Sequence, residues 1–594
     1  MAHPEDLPGT PVTVGDEDHI IDHEKIRTAL YNVDNRLYSA EQTLPNKADA
    51  HNHPYAASSH THLASGITDF NTAVRTNRLD QMATPTVPVA FGGVKLTGLG
   101  APTASTDAAT KAYVDSNSSG GVSSTPANVI NVLENGVKRD CRVNLRFTTI
   151  ANNTTITCTS SPYSEGSAIF TSEDVGKTVW IDKATSGGNY DPHRSTIVSI
   201  GGGGTTAVLA SAPTRSLTNA NGLVGTDNTS AINAICASLQ AWDQIWWPGG
   251  KYGYFTDGGH VINAGAIRMF GEQLYSSLFV MVHRTNSLFS FGVNSGGNFI
   301  ERLVVEHQAK NTNDAPYSGG NSGNYWDGSR NLQDAPSAPT SGAAFFHSAG
   351  GGYSTYSHVA VTGMYVGFNS AHGSMTTWHF CEVTNPVYAG FIVENPEYPD
   401  WGGCRIIECK VQGSARQYMG QHRYGVLWTG GGGFTIRGGD YAGAVEAIVI
   451  QPANNCHTSQ IRIDGTGVED WGDAEYPPGG VYRYGGNADK YGIHVNLIND
   501  TVDLLNVTIT GNNIASVLHG GTKAIGVTSV QNTASSRSGN GAGVGGLVVA
   551  NNSGYATGAA VTLTWVKTAY IAGNPILTAS ANSFSNCTSI DTGV

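Results

Sequence analysis

The sequence predicts a mainly β protein whose larger part is a parallel β-helix solenoid, preceded by an α-helical coiled coil and a mixed fibrous stalk. Three observations carry that expectation. Short apolar strands recur at uneven spacing through the C-terminal two thirds. Only 13% of the 594 residues are charged while glycine fills 75 positions, about half the usual charged share. An apolar heptad runs from Ile26 to Leu44.

Composition bounds the function classes. With 25 Tyr, 17 Phe and 10 Trp the chain is too aromatic for a disordered polymer. Its 33 basic against 46 acidic residues leave a charge of −13, which argues against a phosphate-backbone partner, so no nucleic acid is expected. The first residues, MAHPEDLPGTPVTVGDED, have neither a basic start nor an apolar core, so no signal peptide is expected. No apolar run is long enough to insert in a membrane. Eight cysteines lie scattered without C-x-x-C spacing and read as mostly buried free thiols, with a Cys404/Cys409 pairing left open.

In the first segment, residues 1–45, apolar residues fall at Ile26, Leu30, Val33, Leu37, Ala40 and Leu44, spaced alternately by four and three. With leucine at a and mostly branched residues at d, that heptad leans toward trimers or tetramers. An amphipathic helix packed on a globular body is the alternative. Pro45 ends the helix either way.

Residues 46–125 form the expected stalk. It holds HNHPYAASSHTH, with His51/His53 and His60/His62 as two H-x-H pairs. In an extended segment, residues i and i+2 point to one side. Three chains about a three-fold axis would therefore aim six imidazoles inward from each pair. Such a set suits a transition metal ion, iron or zinc, on the trimer axis; a polar histidine-rich linker is the alternative. Further on, VKLTGLGAPTASTDAATKAYVDS reads as a short strand, a turn, and a short helix that Thr106 or Asp107 caps. SSGGVSSTP is a flexible junction.

These residues carry a resemblance. The L-T-G-L-G strand end and D-A-A-T-K-A-Y-V-D-S resemble the recurring element of bacteriophage tail-fibre and tail-spike proteins, and the H-x-H pairs resemble the metal sites that lock their parallel chains. The resemblance covers a small part of the chain. It implies a homotrimer in the virion tail, joined through its N-terminus to other tail or baseplate proteins.

Residues 126–224 hold the start of the solenoid with a spliced-in small β subdomain, expected from short alternating strands such as SAIFTSEDVGKTVWID. Residues 225–594 are the solenoid itself. Its first helix has Ala231, Ile232, Ile235 and Leu239 on one face and Asp227 or Thr229 as cap, followed by IWW, a Pro-Gly-Gly turn and an aromatic strand. This order resembles the opening of the pectate-lyase-like family, which implies a right-handed parallel β-helix; an ordinary α/β helix and strand is the alternative. Independently, YAGFIVEN, RYGVLWTG, VEAIVIQP, KYGIHVNL and TKAIGVTS align on Gly390, Gly425, Ala447, Gly492 and Ala524, with offsets of 35, 22, 45 and 32. A coil of about 22 residues with inserted loops explains such spacing. About 12 to 15 coils and a rod of roughly 60 to 70 Å follow.

Two loops concentrate carboxylates beside aromatic rings: VENPEYPDWGG and GVEDWGDAEYPPGG. Glycoside hydrolysis needs two carboxyl groups about 5 to 10 Å apart, and sugars stack on exposed rings. The candidate catalytic residues are therefore Asp400, Glu469, Asp470 and Asp473, and the candidate glycan-binding residues Trp401, Trp428, Trp471 and Tyr476. Solvated acidic loops are the bland alternative. The catalytic series of polygalacturonase-like and pectate-lyase enzymes cannot be placed. The expectation is thus a tail fibre or spike that binds a host envelope polysaccharide, with a depolymerase, hydrolase or lyase, as the second reading.

Overall fold

The computed structural model describes residues 25–33 and 129–592, the latter apart from connecting stretches of which the longest are 161–169, 186–191, 308–341, 395–401, 414–421, 483–489, 517–522 and 530–542. The chain divides into two compact units, 1–116 and 117–594. Of the first, only the helix at 25–33 is described, with Ile26, Leu30 and Val33 exposed on a single chain. The rest of the heptad, the four histidines of the H-x-H pairs and the strand-turn-helix element lie outside the described residues.

Three parallel sheets of 14, 11 and 11 strands build the second unit. The chain visits them in turn, so each strand pairs with the one a full coil later. In the largest sheet 13 strands follow one path, which spans about 58 Å at ~4.8 Å per strand. The five aligned repeats are consecutive strands of the third sheet, starting at Ala389, His422, Ala444, Tyr491 and Lys523. Their register puts Phe391, Val426, Ile448, Ile493 and Ile525 in one inward column. Parallel strands need a distant return of the chain, and here the other two sheets supply it in place of helices.

The interior is a single apolar stack with aromatic ladders, such as Phe345, Phe368 and Phe391 at 5.6 and 5.1 Å. Turns from the first sheet to the second are tight and need a left-handed residue, supplied by Gly438, Gly465 and Gly511. Beside them a buried amide ladder runs along the turn. Asn512 Oδ1 accepts from Thr466 N and Oγ1 at 2.9 and 2.8 Å, and Asn512 Nδ2 donates to Asn552 Oδ1 at 2.8 Å. Asn552 Nδ2 donates in turn to Asn574 Oδ1 at 2.9 Å. Buried amides hydrogen-bonded to the next coil lose little on leaving water.

The expected helix is Thr229–Ser238, burying Ile232, Ile235 and Cys236. Asn228 is its N-cap residue, yet the Asp227 carboxylate does the capping by accepting from Thr229 N at 3.2 Å. The small β subdomain is a closed antiparallel barrel of six strands. It packs Trp180 and Leu223 against Phe255 and Val280 of the solenoid. Lys177 lies between Asp140 and Asp174 at 3.0 and 3.1 Å, and Arg194 meets Asp227 at 3.2 Å. Cys404 and Cys409 are not joined in a disulfide, and no disulfide forms among the described cysteines.

Candidate functional site on the third sheet

Connections lengthen on both sides of the third sheet. The chain needs only two residues, such as Gly438 and Gly439, to pass from the first sheet to the second. By contrast, 308–342, 413–421 and 470–490 lead into the third sheet, and 394–402 and 530–542 lead out of it. The strands of this sheet are thus the ones joined by the longest stretches of sequence, and its outer face is a candidate floor for a site.

That floor has two parts. The first is a small apolar cluster separate from the main core, holding Val366, Ile392, Tyr424, Leu427 and Val449. Tyrosines line it: Tyr365 stacks on Tyr388 at 5.5 Å, and Tyr388 meets Tyr424 edge-on at 5.6 Å. Burial pushes the Tyr424 phenol up to about 12. The Arg423 guanidinium lies 5.1 Å over the Tyr424 ring.

The second part is a polar network over three adjacent strands. His494 Nδ1 donates to Glu446 Oε1 at 2.8 Å, and His494 Nε2 sits 3.0 Å from Thr528 Oγ1. Thr528 Oγ1 donates to Asn496 Oδ1 at 3.0 Å, and Asn496 Nδ2 to Gln451 Oε1 at 3.2 Å. Register makes these contacts: His494 pairs with Val449 and with Gly526, and Asn496 with Thr528. Tyr491 stacks on His494 at 4.0 Å, and Lys523, its strand partner, places Nζ 3.4 Å from the Tyr491 hydroxyl. A Cβ at Gly526 would lie 2.1 Å from the Tyr491 ring, so glycine leaves the space the ring occupies. Because the one Thr528 hydrogen goes to Asn496, Nε2 donates to Thr528 Oγ1, and both ring nitrogens of His494 are held.

Farther along the face, burial pushes the Glu394 carboxyl up, against a hydrogen bond with Asn369 that pulls it down. Glu394 lies two strands and five residues from Glu446 in register. Their backbones are thus about 19 Å apart at ~3.3 Å per residue and ~4.8 Å per strand.

The sequence-derived candidates fare differently. Trp428 is fully buried, pairs with Val393 and Ile450, and stacks inward on Phe434 at 6.1 Å. Trp471 is fully buried too, its Nε1 donating to Lys490 O at 3.4 Å. Neither presents a face to a sugar, so the expectation of stacking at these two positions is corrected: both rings are core. Glu469 is exposed at the end of the strand Gly467–Glu469 in the second sheet. Tyr476 belongs to a two-stranded ribbon, Glu475–Tyr476 with Val481–Tyr482. Asp400, Trp401, Asp470 and Asp473 lie outside the described residues. Among the described residues no group of three His, Cys, Asp or Glu side chains is placed to hold a metal, and no helix is long and apolar enough to cross a membrane.

Composition-led reading missed Glu446, His494, Tyr491 and Thr528. A signal was present, because VEAIVIQP, KYGIHVNL and TKAIGVTS put these polar residues among apolar ones in strands that stack.

No protein-family model matches the chain. No curated protein matches it. Among solved structures, the A-module of the Azotobacter vinelandii mannuronan C-5 epimerase AlgE6 is 14% identical, with a TM-score of 0.40 over 61% of this chain and 95% of that one. The catalytic domain of a GH87 alpha-1,3-glucanase in complex with nigerose is 12% identical, with a TM-score of 0.34 over 77% and 89%. The catalytic unit of a thermostable GH87 alpha-1,3-glucanase from Streptomyces thermodiastaticus is 11% identical, with a TM-score of 0.29 over 76% and 88%. Overlaps this shallow say nothing of what this chain binds.

Proposed function

We propose that the chain is a polysaccharide-directed β-helix carried on a bacteriophage tail fibre or spike. The observation that carries the polysaccharide reading is the outer face of the third sheet. There Tyr388, the half-buried member of a tyrosine row, shares the sheet with a hydroxyl, amide and carboxylate network. Sugars are bound by such pairs of surfaces, with rings against their apolar faces and hydrogen-bonding side chains against their hydroxyls. A second reading, cleavage of the bound polymer, is favoured by one observation: the His494 imidazole is held by the Glu446 carboxylate, a pairing of the kind used in acid–base catalysis.

The tail assignment rests on the sequence element DAATKAYVDS and on the heptad. With it go a homotrimer, a partner in the tail or baseplate at the N-terminus, an iron or zinc ion held by His51, His53, His60 and His62, and a place in the virion.

The test is retention of the full chain on immobilised bacterial envelope polysaccharides, beside its competition with intact phage for host cells. Retention and competition, both weakened by Tyr388→Ala, are expected. A chain that is retained on none and leaves phage adsorption unchanged refutes the proposal.

A further inference from the structure

We infer that Cys381 and Cys409 are a redox staple: one disulfide between consecutive coils, acquired by exchange with a low-molecular-weight disulfide, that closes the coil bearing Tyr388. The inference rests on the turn from the first sheet to the second and is independent of the polysaccharide reading.

The chain sets one residue per coil in a column just after the left-handed position of that turn. Cys381 follows Phe380 and Cys409 follows Glu408, as Asn512 follows Gly511 and Asn552 follows Asn551. All four are buried. In the later coils this column bonds from coil to coil through the amide ladder of Asn512, Asn552 and Asn574. In the earlier coils it holds two thiols, 28 residues apart in the chain and one coil apart in the fold.

Register brings the two together. His379 pairs with Ile407 on one side of them and Glu382 with Lys410 on the other. Lys410 N donates to Cys381 O at 2.8 Å, and Cys381 N donates to Cys409 Sγ at 3.3 Å. Neighbouring strands run ~4.8 Å apart, inside the Cα separation of about 4.4 to 6.8 Å that a disulfide spans. Both residues are thiols in this structure, their Sγ atoms turned toward His379 O and Ile407 O at 3.6 and 3.4 Å. Closing the bond therefore requires a χ1 rotation. Cys404 lies in the first sheet, paired with Phe434, and belongs to a different column.

The exchange balances. One cysteine thiolate attacks a sulfur of the small disulfide, forming a mixed disulfide and releasing one small thiolate. The second cysteine thiolate attacks the protein sulfur of that mixed disulfide, so the Cys381–Cys409 bond forms and the other small thiolate leaves. The two cysteine protons end on the two released thiols, and the small disulfide is the oxidant, reduced by two electrons. Burial pushes the Cys409 thiol up, and a protonated thiol does not attack. Exchange therefore waits for the coil to open and ends when it recloses over the bond. The loop so closed contains Tyr388 and the strand Ala389–Val393.

The experiment holds the full chain a few degrees below its melting point, near pH 8, with oxidised glutathione, beside a sample with iodoacetamide in its place. Alkylation of Cys381 and Cys409 in the second sample marks the time by which the coil has opened. Unreduced peptides of the first sample are mapped at that time by mass spectrometry. A Cys381–Cys409 linked peptide is expected, kept in Cys404→Ala and absent from Cys381→Ala. At a given urea concentration the linked protein should show an unfolding constant about 100-fold smaller, restored by dithiothreitol. Both cysteines unlinked, or each carrying glutathione with no bond between them, overturns the staple. A Cys404–Cys409 link overturns it in favour of a pairing across columns. Failure of iodoacetamide to reach the two below the melting point overturns it as well, since the folded chain then never presents the pair.

Discussion

Acidification should weaken the solenoid through His260, and the size of the effect follows from the structure. The ring sits edge-on to Tyr254 at 4.8 Å and tilted on Phe289 at 5.5 Å. Its Nδ1 hydrogen-bonds Asn233 Oδ1 at 2.6 Å, which places the proton on Nδ1, while Nε2 is buried without a partner. Burial pulls this imidazole from 6.5 to about 3, opposed only by the negative charge of Asp227. The unfolded chain takes up the proton near pH 6.5 and the folded chain near pH 3. Between those values the unfolded state binds more protons, so stability is complete above pH 6.5 and is lost as pH falls. The loss is about 2 kcal/mol at pH 5 and approaches about 5 kcal/mol near pH 3. His260→Phe keeps an aromatic ring between its neighbours and leaves Asn233, which is exposed, to water. Urea unfolding of both proteins at pH 7 and pH 5 isolates the term, since other titrating groups are common to both. The variant should lose about 2 kcal/mol less than the parent over that step. Equal losses would refute the reasoning.

Four further outcomes follow from contacts already described. Gly526→Ala sets a Cβ 2.1 Å from the Tyr491 ring; it should cost about 1–3 kcal/mol and abolish polysaccharide retention, and an unchanged melting point with full retention contradicts the site. Trp428→Ala should destabilise by about 3–5 kcal/mol, as a core cavity does, whereas a surface sugar platform would lose retention at constant stability. Asn512→Ala strips partners from Thr466 N and Oγ1 and from Asn552; a loss of about 3 kcal/mol is expected at roughly 1 kcal/mol per hydrogen bond, read by urea unfolding, and no loss would make the amide ladder ornamental. For the stalk, His60→Ala with His62→Ala should remove bound iron or zinc in elemental analysis of the purified chain, and metal retained at the parent level rules out those two as ligands.

How much of this was legible depended on which regularity each feature obeys. The solenoid was readable because its strands repeat an apolar pattern that does not depend on the loops between them. Gly390, Gly425 and Ala447 align by eye and prove to stack, and Thr229–Ser238 was visible from Ile232 and Ile235. The site was not readable from composition, since acidic and aromatic residues crowd the insertions and drew the candidates there. Trp428 shows the error most plainly. Its neighbours in the chain, Leu427 and Thr429, suggest little, but its neighbours in the sheet, Val393 and Ile450, are both core and fix the ring inward.

A site on stacked strands also has a different tolerance to change from one on loops. Glu446, His494 and Thr528 are separated by 48 and 34 residues in the chain, yet each sits one strand from the next. Their distances are set by backbone pairing, Val449 with His494 and His494 with Gly526. Residues 470–490, part of the connection between two of these strands, make none of the pairings that fix those distances. Shortening that stretch without touching Trp471 or Lys490 should alter polymer preference while the melting point stays where it was. A lowered melting point would mean that the insertion, and not the sheet alone, holds these strands in place.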